Sequence, residues 1–355
     1  MSNFYSLKVS EIKEQTSEAV AVSFDVPIEL YDEFNYKPGQ YLTLKFNIEG
    51  EEVRRSYSLC SSPLLKEALT IGVKRVKNGL VSNYINDHLK VGDEVEVMIP
   101  NGSFYADVKE DNYKTYYLFA AGSGITPILS ILKSVLIGEP NSYIHMIYGN
   151  RNQETVLFKS ELEELRKEYP TRLILVHSLS KPKTSWFSSK KEFEYRKGRV
   201  DSDAINWFIN EYPPYAQNTE YFICGPGKMI ENTKDALKNI DVPDNRIFIE
   251  SFGGSSTNNT LEGIEKAALK AKLNNEEINI SIEKGETVLR ALLNNKFDPP
   301  YSCEGGVCSS CVCKLKKGKV TMKKNMALSE KEVKEGYILS CQSIALTKEI
   351  EVVFE

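Results

Sequence analysis

Histidine is scarce in this sequence, with only three residues in a chain of 355. The three are scattered and supply no evident haem, Rieske or facial-triad iron site, so a self-contained oxygenase is not expected. His145 and His177 lie in apolar strand-like segments and are predicted to be packed core residues. An excess of one charge is also lacking, since 45 basic against 49 acidic side chains give a net charge of −4. A general nucleic-acid-binding protein would need a basic surplus, so nucleic acid is not an expected partner.

Long uninterrupted apolar runs are absent as well. The most apolar stretch, residues 116–138, is broken by Gly122 and Pro127 and is too irregular for a membrane span. The N-terminus has no basic region followed by an apolar run, which argues against a signal peptide. We therefore predict a cytoplasmic protein with no membrane partner. In that compartment, cysteines are expected as metal ligands or buried packing residues rather than as disulfides.

Residues 1–110 contain short segments rich in β-branched and aromatic residues, separated by glycine, proline or Asn-Gly. Strands at this spacing predict a small antiparallel β-barrel. The segments span residues 19–27, 41–48, 56–62, 69–76 and 93–100.

The pattern changes after about Asp111, where apolar strand segments alternate with helical ones. This alternation predicts a parallel sheet with crossover helices over residues 111–252. Residues 253–260 read GGSSTNNT and predict a flexible linker. A third unit of strands around one helix is expected over residues 261–355, which hold 15 basic and 14 acidic residues, whereas the preceding residues hold 30 and 35. The predicted fold class is therefore multidomain: an antiparallel β-barrel, an α/β domain with a parallel sheet, and a small α+β domain.

Five of the seven cysteines lie between positions 303 and 341. Cys303, Cys308 and Cys311 have the spacing C-x4-C-x2-C, and Cys341 follows after a 29-residue gap. This is the plant-type spacing for the ligands of a [2Fe–2S] cluster. A structural zinc site is the alternative, but it prefers two C-x2-C pairs or a mixture of cysteine and histidine, and no histidine follows His177.

The sequences around these cysteines, GGVCSSC and GYILSCQ, resemble those of plant-type ferredoxin domains, and the likeness covers residues 263–355. The resemblance implies a β-grasp fold in which the four cysteines hold the cluster. Cys313 lies in a strand-like segment and, like Cys60, is expected to be a small buried residue. Because such a cluster passes single electrons whereas nicotinamide gives them in pairs, a flavin is expected to connect the two.

Two segments of the predicted barrel resemble flavin-binding motifs of the ferredoxin–NADP reductase superfamily: RRSYSL at residues 54–59 and NGLVS at residues 78–82. The resemblance implies that Arg55 pairs with a flavin phosphate, that Tyr57 stacks on the isoalloxazine, and that the Ser58 hydroxyl binds near its N5. Ser82 is expected to begin a helix as its N-cap. FAD is preferred to FMN on this resemblance. The predicted flavin-binding residues are Arg55, Ser56, Tyr57, Ser58, Leu59, Gly79, Leu80, Val81 and Ser82.

The α/β region carries AGSGITP at residues 121–127, a turn where two glycines would let a pyrophosphate approach a helix N-terminus. This segment and CGP at residues 224–226 resemble the GxGxxP and CGP motifs of the same superfamily. The resemblance places Cys224 beside the nicotinamide C4 and Phe252 over the flavin, so Ser58, Cys224 and Phe252 are the predicted catalytic residues. The predicted nicotinamide-binding residues are Gly122, Gly124, Thr126, Pro127, Arg151, Ser180, Lys181, Gly225 and Pro226.

Arg151, Ser180 and Lys181 follow the second and third predicted strands of the α/β region, where no acidic residue stands to bind a ribose diol. Cationic side chains there suit a 2′-phosphate, so NADPH is favoured over NADH.

The order of the three regions resembles the reductase components of multicomponent oxygenases. The resemblance implies electron flow from NADPH through FAD and a [2Fe–2S] cluster to an oxygenase or another acceptor protein. A reductase of the steroid or alkane hydroxylase type, and a redox-sensing electron carrier without pyridine-nucleotide turnover, are alternatives. The linker is expected to let the ferredoxin domain move between flavin and partner. Residues 182–197, with Trp186 and Phe187, are either a variable solvated loop or a docking surface.

Overall fold

The computed structural model describes residues 4–183, 194–252 and 263–354. The predicted linker and the aromatic pair Trp186 and Phe187 lie outside the described residues. The chain forms two compact units, of which the smaller contains residues 263–354 and the larger contains most of the residues before Gly253. No helix among the described residues has both the length and the apolar character of a membrane span.

The first sheet of the larger unit has six strands in the order β4-β3-β6-β1-β2-β5. The pairs β1–β2, β2–β5 and β3–β6 are antiparallel. Leu59, directly after β4, bridges Ile71 in β5, which joins the two edge strands and closes the sheet. The predicted antiparallel barrel is therefore confirmed. The strands are β1 (Phe4–Thr16), β2 (Ala19–Asp25), β3 (Tyr41–Ile48), β4 (Glu51–Ser58), β5 (Leu69–Lys74) and β6 (Glu94–Met98), with helix α1 (Leu80–Asp87) after β5.

The second sheet of the larger unit is parallel, with the order β10-β9-β8-β7-β11-β12. Helices cover both of its faces, and two apolar core clusters lie between the helices and the sheet, as the alternation of strands and helices predicts. The strands are β7 (Thr115–Ala121), β8 (Tyr143–Asn150), β9 (Leu173–Leu179), β10 (Tyr195–Lys197), β11 (Thr219–Cys224) and β12 (Ile247–Glu250). The helices are α2 (Ile125–Gly138), α3 (Lys159–Glu168), α4 (Ser202–Glu211) and α5 (Gly227–Lys238).

The barrel and the parallel sheet share apolar core. Ala19, Ala21, Cys60 and Phe104 from the barrel side belong to the same buried cluster as residues of β7, β8 and α2. Burial of apolar surface between the two sheets stabilises their arrangement by roughly 25 cal/mol per Å². The boundary at residues 110 and 111 stays a prediction.

The smaller unit has a five-stranded sheet in the order β14-β13-β19-β15-β17 and a two-stranded β16–β18 pair. The pair β13–β19 is parallel, and the other neighbours in the five-stranded sheet with a defined register are antiparallel. Helix α6 packs against this sheet, and the α+β class is confirmed. The strands are β13 (Lys266–Leu273), β14 (Glu276–Glu283), β15 (Val312–Lys317), β16 (Val320–Met322), β17 (Tyr337–Leu339), β18 (Ser343–Ala345) and β19 (Glu349–Val353), and the helices are α6 (Val288–Asn294) and α7 (Glu330–Lys334).

Several details differ from the sequence-based expectation. The strand predicted over residues 56–62 is strand β4 over Glu51–Ser58. Strand β1 has 13 residues and was not predicted, although alternation of apolar and polar residues is typical of a half-buried strand. Ser82 was expected as an N-cap, but α1 begins at Leu80 with Gly79 as its N-cap. Ser82 instead lies within the first turn, where its hydroxyl accepts a hydrogen bond from the amide of Val76 at 3.2 Å.

Candidate functional site

The predicted flavin motif forms the end of strand β4 and the residue after it. Ser58 is 3% exposed, and the Leu59 side chain is fully buried in the barrel core. Tyr57 is partly buried against the same core. Arg55 is also partly buried, and its Nη1 donates to the carbonyl of Arg54 at 2.7 Å. The strand therefore places Ser58 inward at the point where the barrel meets the parallel sheet.

The second predicted phosphate segment lies at the start of helix α1. Val81 is buried in the barrel core, so only its main chain can face a ligand, whereas Leu80 is 45% exposed. A Cβ on Gly79 would lie 2.5 Å from the Ser82 Oγ, which explains why glycine stands there. The tight turn leaves the amides at the helix start as the available donors for an anion.

The glycine-rich turn joins β7 to α2 at the carboxyl edge of the parallel sheet. Gly122 has a φ of 57°, which favours glycine, and a Cβ there would meet nothing within 4 Å, so the space beside the turn is open. A Cβ on Gly124 would lie 2.1 Å from the carbonyl oxygen of Cys224, so only glycine lets α2 approach β11 this closely. Pro127 lies in the first turn of α2, where no amide hydrogen is needed. The Thr126 hydroxyl donates to the carbonyl of Ser123 at 3.0 Å.

Ser58, Cys224 and Glu250 meet at this edge. Cys224 ends β11 and pairs in register with Glu250, the last residue of β12. The Ser58 hydroxyl donates to Glu250 Oε2 at 3.2 Å, across 192 positions of sequence. Phe252 follows two residues later with 41% of its surface exposed, an apolar surface that an isoalloxazine ring could cover. The predicted catalytic residues Ser58 and Cys224 are thus brought together, and Glu250 is an additional candidate residue, to which the sequence analysis assigned no role.

The electrostatics of this group favour neutral side chains. Burial raises the pKa of Glu250 to about 8, and the hydrogen bond from Ser58 opposes that rise only in part. Although part of the Glu250 side chain reaches solvent, protein atoms surround its carboxyl group in the cleft, and this desolvation disfavours the charged form. Burial first, and then the nearby Glu250 charge, raise the pKa of the Cys224 thiol. At neutral pH the site holds a protonated carboxyl, a hydroxyl and a thiol.

A buried polar network fixes the barrel to helix α2 close to this site. Ser130 Oγ donates to the carbonyl of Ser61 at 2.6 Å, and the hydroxyls of Ser62 and Ser134 lie 2.7 Å apart. Ser61 and Ser62 follow Ser58 by three and four residues. Strand β4, which carries the predicted flavin motif and is called the flavin strand below, is therefore anchored directly to helix α2, which begins at the glycine-rich turn.

Lys133 completes the network as a buried cation. It is 4% exposed, and its Nζ lies 2.9 Å from Glu67 Oε1 and 3.0 Å from Glu161 Oε1. Burial lowers the pKa of Lys133, but the two carboxylates outweigh it and the net pKa is raised. The six residues of this network, Ser61, Ser62, Glu67, Ser130, Lys133 and Ser134, are called the seam below.

Cationic side chains gather at the carboxyl ends of β8, β9 and β10. The amide of Lys181 donates to the carbonyl of Arg151 at 2.7 Å, and the amide of Ser180 donates to the carbonyl of Asn150 at 3.0 Å. The three predicted phosphate-specificity residues are therefore neighbours. Strand β10 adds Arg196, to which the sequence analysis gave no role, and its Nη1 donates to the carbonyl of Arg199 at 3.1 Å.

The four predicted cluster ligands form two pairs in the smaller unit. Cys303 and Cys308 have their sulfurs 3.0 Å apart, and Cys311 and Cys341 have theirs 3.2 Å apart. Within residues 4–183, 194–252 and 263–354, no group of three or more His, Cys, Asp or Glu side chains is arranged around one metal ion. Two pairs of thiols suit the two irons of a [2Fe–2S] cluster, each held by two cysteines, better than one tetrahedral zinc ion.

Main-chain amides of the loop point at these sulfurs. The amide of Gly305 lies 3.3 Å from Cys303 Sγ. The hydrogen bond from Cys308, followed by the amides of Gly305, Val307 and Cys308, lowers the pKa of Cys303 to about 6. The hydrogen bond from Cys311 lowers the pKa of Cys341 in the same way. The same hydrogen bonds raise the pKa of the partner thiols Cys308 and Cys311, so each pair favours one thiolate that accepts from one thiol.

Cys313 and Cys60 behave as small core residues. Cys313 is 2% exposed within the core of the smaller unit, and Cys60 is 2% exposed in the core shared by barrel and parallel sheet. His145 and His177 are also buried. His145 Nδ1 lies 3.1 Å from the carbonyl of Tyr212, and burial lowers its pKa to about 4. These placements agree with the packing roles predicted from sequence.

A closed antiparallel barrel, a parallel nucleotide sheet and a loop of paired thiols together define an oxidoreductase with a flavin and an iron–sulfur cluster. Three family descriptions match the chain: an oxidoreductase FAD-binding domain over residues 6–105, an oxidoreductase NAD-binding domain over residues 118–235, and a 2Fe-2S iron-sulfur cluster binding domain over residues 271–346. The chain belongs to the ferredoxin–NADP reductase superfamily, in the group that carries a C-terminal plant-type [2Fe–2S] domain.

Similar proteins extend over the whole chain. One of the subunits of 1,2-phenylacetyl-CoA epoxidase from Escherichia coli (strain K12) is 35% identical over 360 residues, which cover 100% of this chain and 99% of that protein. The ferredoxin reductase component of 3-ketosteroid-9-alpha-monooxygenase from Rhodococcus rhodochrous is 33% identical and covers 98% of this chain and 96% of its own length. The solved structure of phthalate dioxygenase reductase shares the fold, with a TM-score of 0.63, 24% identity, and coverage of 99% of this chain and 98% of its own.

Proposed function

We propose that this chain is an NADPH-dependent reductase that supplies electrons, through FAD and a [2Fe–2S] cluster, to the oxygenase component of a phenylacetyl-CoA epoxidase-type monooxygenase. The observation that carries the proposal is the combination of two sites. One is the neutral Ser58, Cys224 and Glu250 group between barrel and nucleotide sheet, and the other is the two cysteine pairs of the smaller unit. The 35% identity to a phenylacetyl-CoA epoxidase component over the full chain supports the choice of oxygenase.

When bound, FAD takes two electrons together from a reduced nicotinamide and releases them singly, which suits a one-electron cluster. The chain's own residues position the ligands and manage protons. The Ser58 hydroxyl donates to Glu250 Oε2 and so holds the carboxyl in place. The Glu250 carboxyl, with a pKa of about 8, can hold a proton at neutral pH and release it in mildly alkaline solution. The Cys224 thiol stays neutral and adds no charge beside a ligand.

Phe252, Tyr57 and the glycine-rich turn are proposed to bind and orient the rings and phosphates. The partly exposed Phe252 offers an apolar surface, and Gly122 with Gly124 lets a pyrophosphate approach the start of α2. Arg55 is proposed to pair with a flavin phosphate. The remaining predicted binding residues keep the roles given above as proposals, and so does a cytoplasmic location.

NADPH is proposed as the electron donor because Arg151, Lys181 and Arg196 place cations at the edge of strands β8, β9 and β10. A bidentate arginine suits a 2′-phosphate particularly well. Replacement of Arg151 by Ala should raise the KM for NADPH by about tenfold and leave that for NADH within about twofold, since one charge-assisted contact contributes about 1.5 kcal/mol. Equal changes for both nucleotides would contradict the proposed preference.

The proposed function is tested with the purified holoprotein under anaerobic conditions. NADPH should bleach the flavin absorbance near 450 nm and then produce the electron paramagnetic resonance signal of a reduced [2Fe–2S] cluster. Oxygenase components of the phenylacetyl-CoA epoxidase type and of the 3-ketosteroid type, each supplied with its substrate, should then be compared as acceptors. Faster turnover with the ketosteroid type would reassign the partner. No bleaching by either nucleotide would favour an electron carrier without pyridine-nucleotide turnover.

A further inference from the structure

A lysine-rich segment begins and ends at the cysteine loop of the smaller unit. It spans residues 312–324 and contains β15, β16 and the turn between them. The two strands belong to different sheets, and the name lysine hairpin, used below, refers to the turn of the chain and not to strand pairing. It starts directly after the ligand Cys311. At its other end, Lys324 packs against the cysteine loop. Its carbonyl oxygen is so close to Gly306 that a Cβ added to this glycine would lie 2.7 Å from it. Strand β16 pairs with β18, which follows Cys341 by two residues.

The lysine hairpin carries charge of one sign. Its 13 residues include six lysines and no acidic residue. Lys317 pairs with Glu349 at 2.7 Å, and the Lys314 ammonium lies 4.7 Å from the ring centre of Tyr337. In the part of the chain that the structure describes, the other four lysines form no ion pair, and three of them are exposed. These four are Lys316, Lys319, Lys323 and Lys324.

An exposed apolar side chain lies beside these cations. The amide of Met326 donates to the carbonyl of Gly306 at 2.9 Å, which fixes Met326 against the cysteine loop. Its side chain is nevertheless 44% exposed. Protein interfaces are enriched in methionine at the centre and carry their charges at the rim. Met326 offers an adaptable apolar centre, and the lysines beside it form no ion pair. This is the composition of a transient docking surface.

We propose that the lysine hairpin and Met326 form the surface on which an acidic face of the oxygenase component docks to take electrons. The proposal rests on the proposed function, since it assigns the place where the acceptor binds. Electron transfer between proteins slows steeply with distance, so the acceptor must sit next to the cysteine loop. In each encounter one electron, originally supplied by NADPH, passes to the acceptor, and the oxidation state of the acceptor falls by one. Cations at this position attract an acidic face and raise the association rate.

The test reverses two charges of the lysine hairpin in the full-length holoprotein. The variant is Lys319→Glu with Lys323→Glu, and the matched control is Lys270→Glu with Lys272→Glu on β13, which is separated from β15 by β19. Both variants change the net charge equally. The probes are cytochrome b5, an acidic one-electron acceptor, and cytochrome c, a basic one. Reduction rates by NADPH are measured at low and high salt, together with the affinity of each cytochrome for the oxidised reductase.

We expect the hairpin variant to bind cytochrome b5 at least about tenfold more weakly at low salt and to reduce it correspondingly more slowly. Its salt dependence should flatten, because screening acts on the charges that were reversed. Cytochrome c should bind and react faster, and the control variant should stay within about twofold of the unmodified protein. Equal behaviour of the hairpin and control variants toward cytochrome b5 would overturn the docking surface.

Two further measurements separate this proposal from the proposed function. The electron paramagnetic resonance spectrum of the cluster and the NADPH-dependent reduction of ferricyanide should be unchanged in both variants, which shows that folding and flavin reduction are intact. If the unmodified protein did not reduce its cluster with NADPH, the proposed function would fail. The affinity measurements with oxidised protein would still decide the docking surface.

Discussion

In the larger unit, burial raises the pKa of Glu250 to about 8, whereas in the smaller unit the partners of Cys303 lower its pKa to about 6. The first site is assembled from side chains on different strands and kept neutral. The second consists of two thiol pairs, in which the hydrogen bond from Cys308 and then the loop amides lower the pKa of Cys303, and the hydrogen bond from Cys311 lowers that of Cys341. This difference suits the proposed chemistry, because hydride transfer needs groups held in fixed positions, whereas a cluster needs deprotonated sulfurs.

The two sites are also held in place by different kinds of interaction. The seam anchors the flavin strand to α2 through buried side-chain hydrogen bonds and the Lys133 cation. The cysteine loop is held mainly by its own main chain, as the amide of Gly305 on Cys303 and the amide of Met326 on Gly306 show. A site between two sheets needs such anchors because its parts are distant in sequence. The cysteine site receives much of its geometry from local turns, since three of its four thiols lie within nine residues and only Cys341, after β17, is distant in sequence.

The largest effect is expected from replacing Cys341 with Ser, which tests the independence of the two sites. The change removes one sulfur of the Cys311 pair, so the cluster absorbance should be lost. Reduction of cytochrome c by NADPH should fall by more than about 100-fold, beyond the usual cost of altering residues around a metal. Bleaching of the flavin by NADPH should stay near the unmodified rate.

Cys313→Ser is the control, since its buried thiol is outside both pairs and the cluster should persist. Loss of flavin reduction in Cys341→Ser would contradict the separation.

The next effect concerns the seam. Lys133→Met leaves the Glu67 and Glu161 carboxylates without their shared cation. Because these side chains are 32% and 39% exposed, water solvates part of the remaining charge, and the free energy of unfolding should fall by about 1–3 kcal/mol. Urea unfolding of the holoprotein measures this change. Lys133→Arg keeps the charge and should recover part of the loss. Lys109→Met, which removes the exposed pair with Asp107, should have no measurable effect. Similar stabilities for Lys133→Met and Lys109→Met would show that the seam does not hold the sheets together.

The smallest effect is a change of pH dependence at Glu250. Its pKa in the folded protein, about 8, lies above its ordinary value of 4.5, so the folded state holds a proton that the unfolded state has lost between these values. The contribution of Glu250 to stability is therefore fully present below pH 4.5 and is lost as pH rises through 8. Compared with the unmodified protein, Glu250→Gln should lose this decline in urea unfolding measured from pH 5 to pH 9.

The same carboxyl should give flavin reduction a distinctive pH profile. The unmodified rate should fall above about pH 8 as Glu250 ionises, and the Glu250→Gln rate should stay level there. Ser58→Ala is the companion variant, because the hydrogen bond from Ser58 lowers the pKa of Glu250 and its loss should move the inflection to higher pH. A profile for Glu250→Gln with the unmodified inflection would assign the titration to another group.

Local patterns in the sequence predicted much of this molecule. The cysteine spacing predicted that Cys303, Cys308, Cys311 and Cys341 come together, because three of them lie within nine residues, and the structure arranges their sulfurs in two pairs. The helix over residues 125–138 and the strand over residues 143–150 agree with α2 and β8, since their apolar periodicity is uninterrupted. Strand β1 was missed although its alternation of apolar and polar residues is typical of a strand, and Ser82 was misplaced because the N-cap of α1, Gly79, lies three residues earlier.

By itself, the sequence determined the fold class, the cysteine spacing and the glycine turn, because each depends on patterns of residues close together in the chain. Only the tertiary structure decided that Glu250 meets Ser58, that Lys133 lies buried between Glu67 and Glu161, and that the lysine hairpin starts and ends at the cysteine loop. Ser58 and Glu250 are 192 positions apart, and no local pattern reports the register of sheets that brings them together. The physical reason is burial: whether a carboxyl or an ammonium group is neutral, paired or exposed depends on the atoms packed around it, which folding alone supplies.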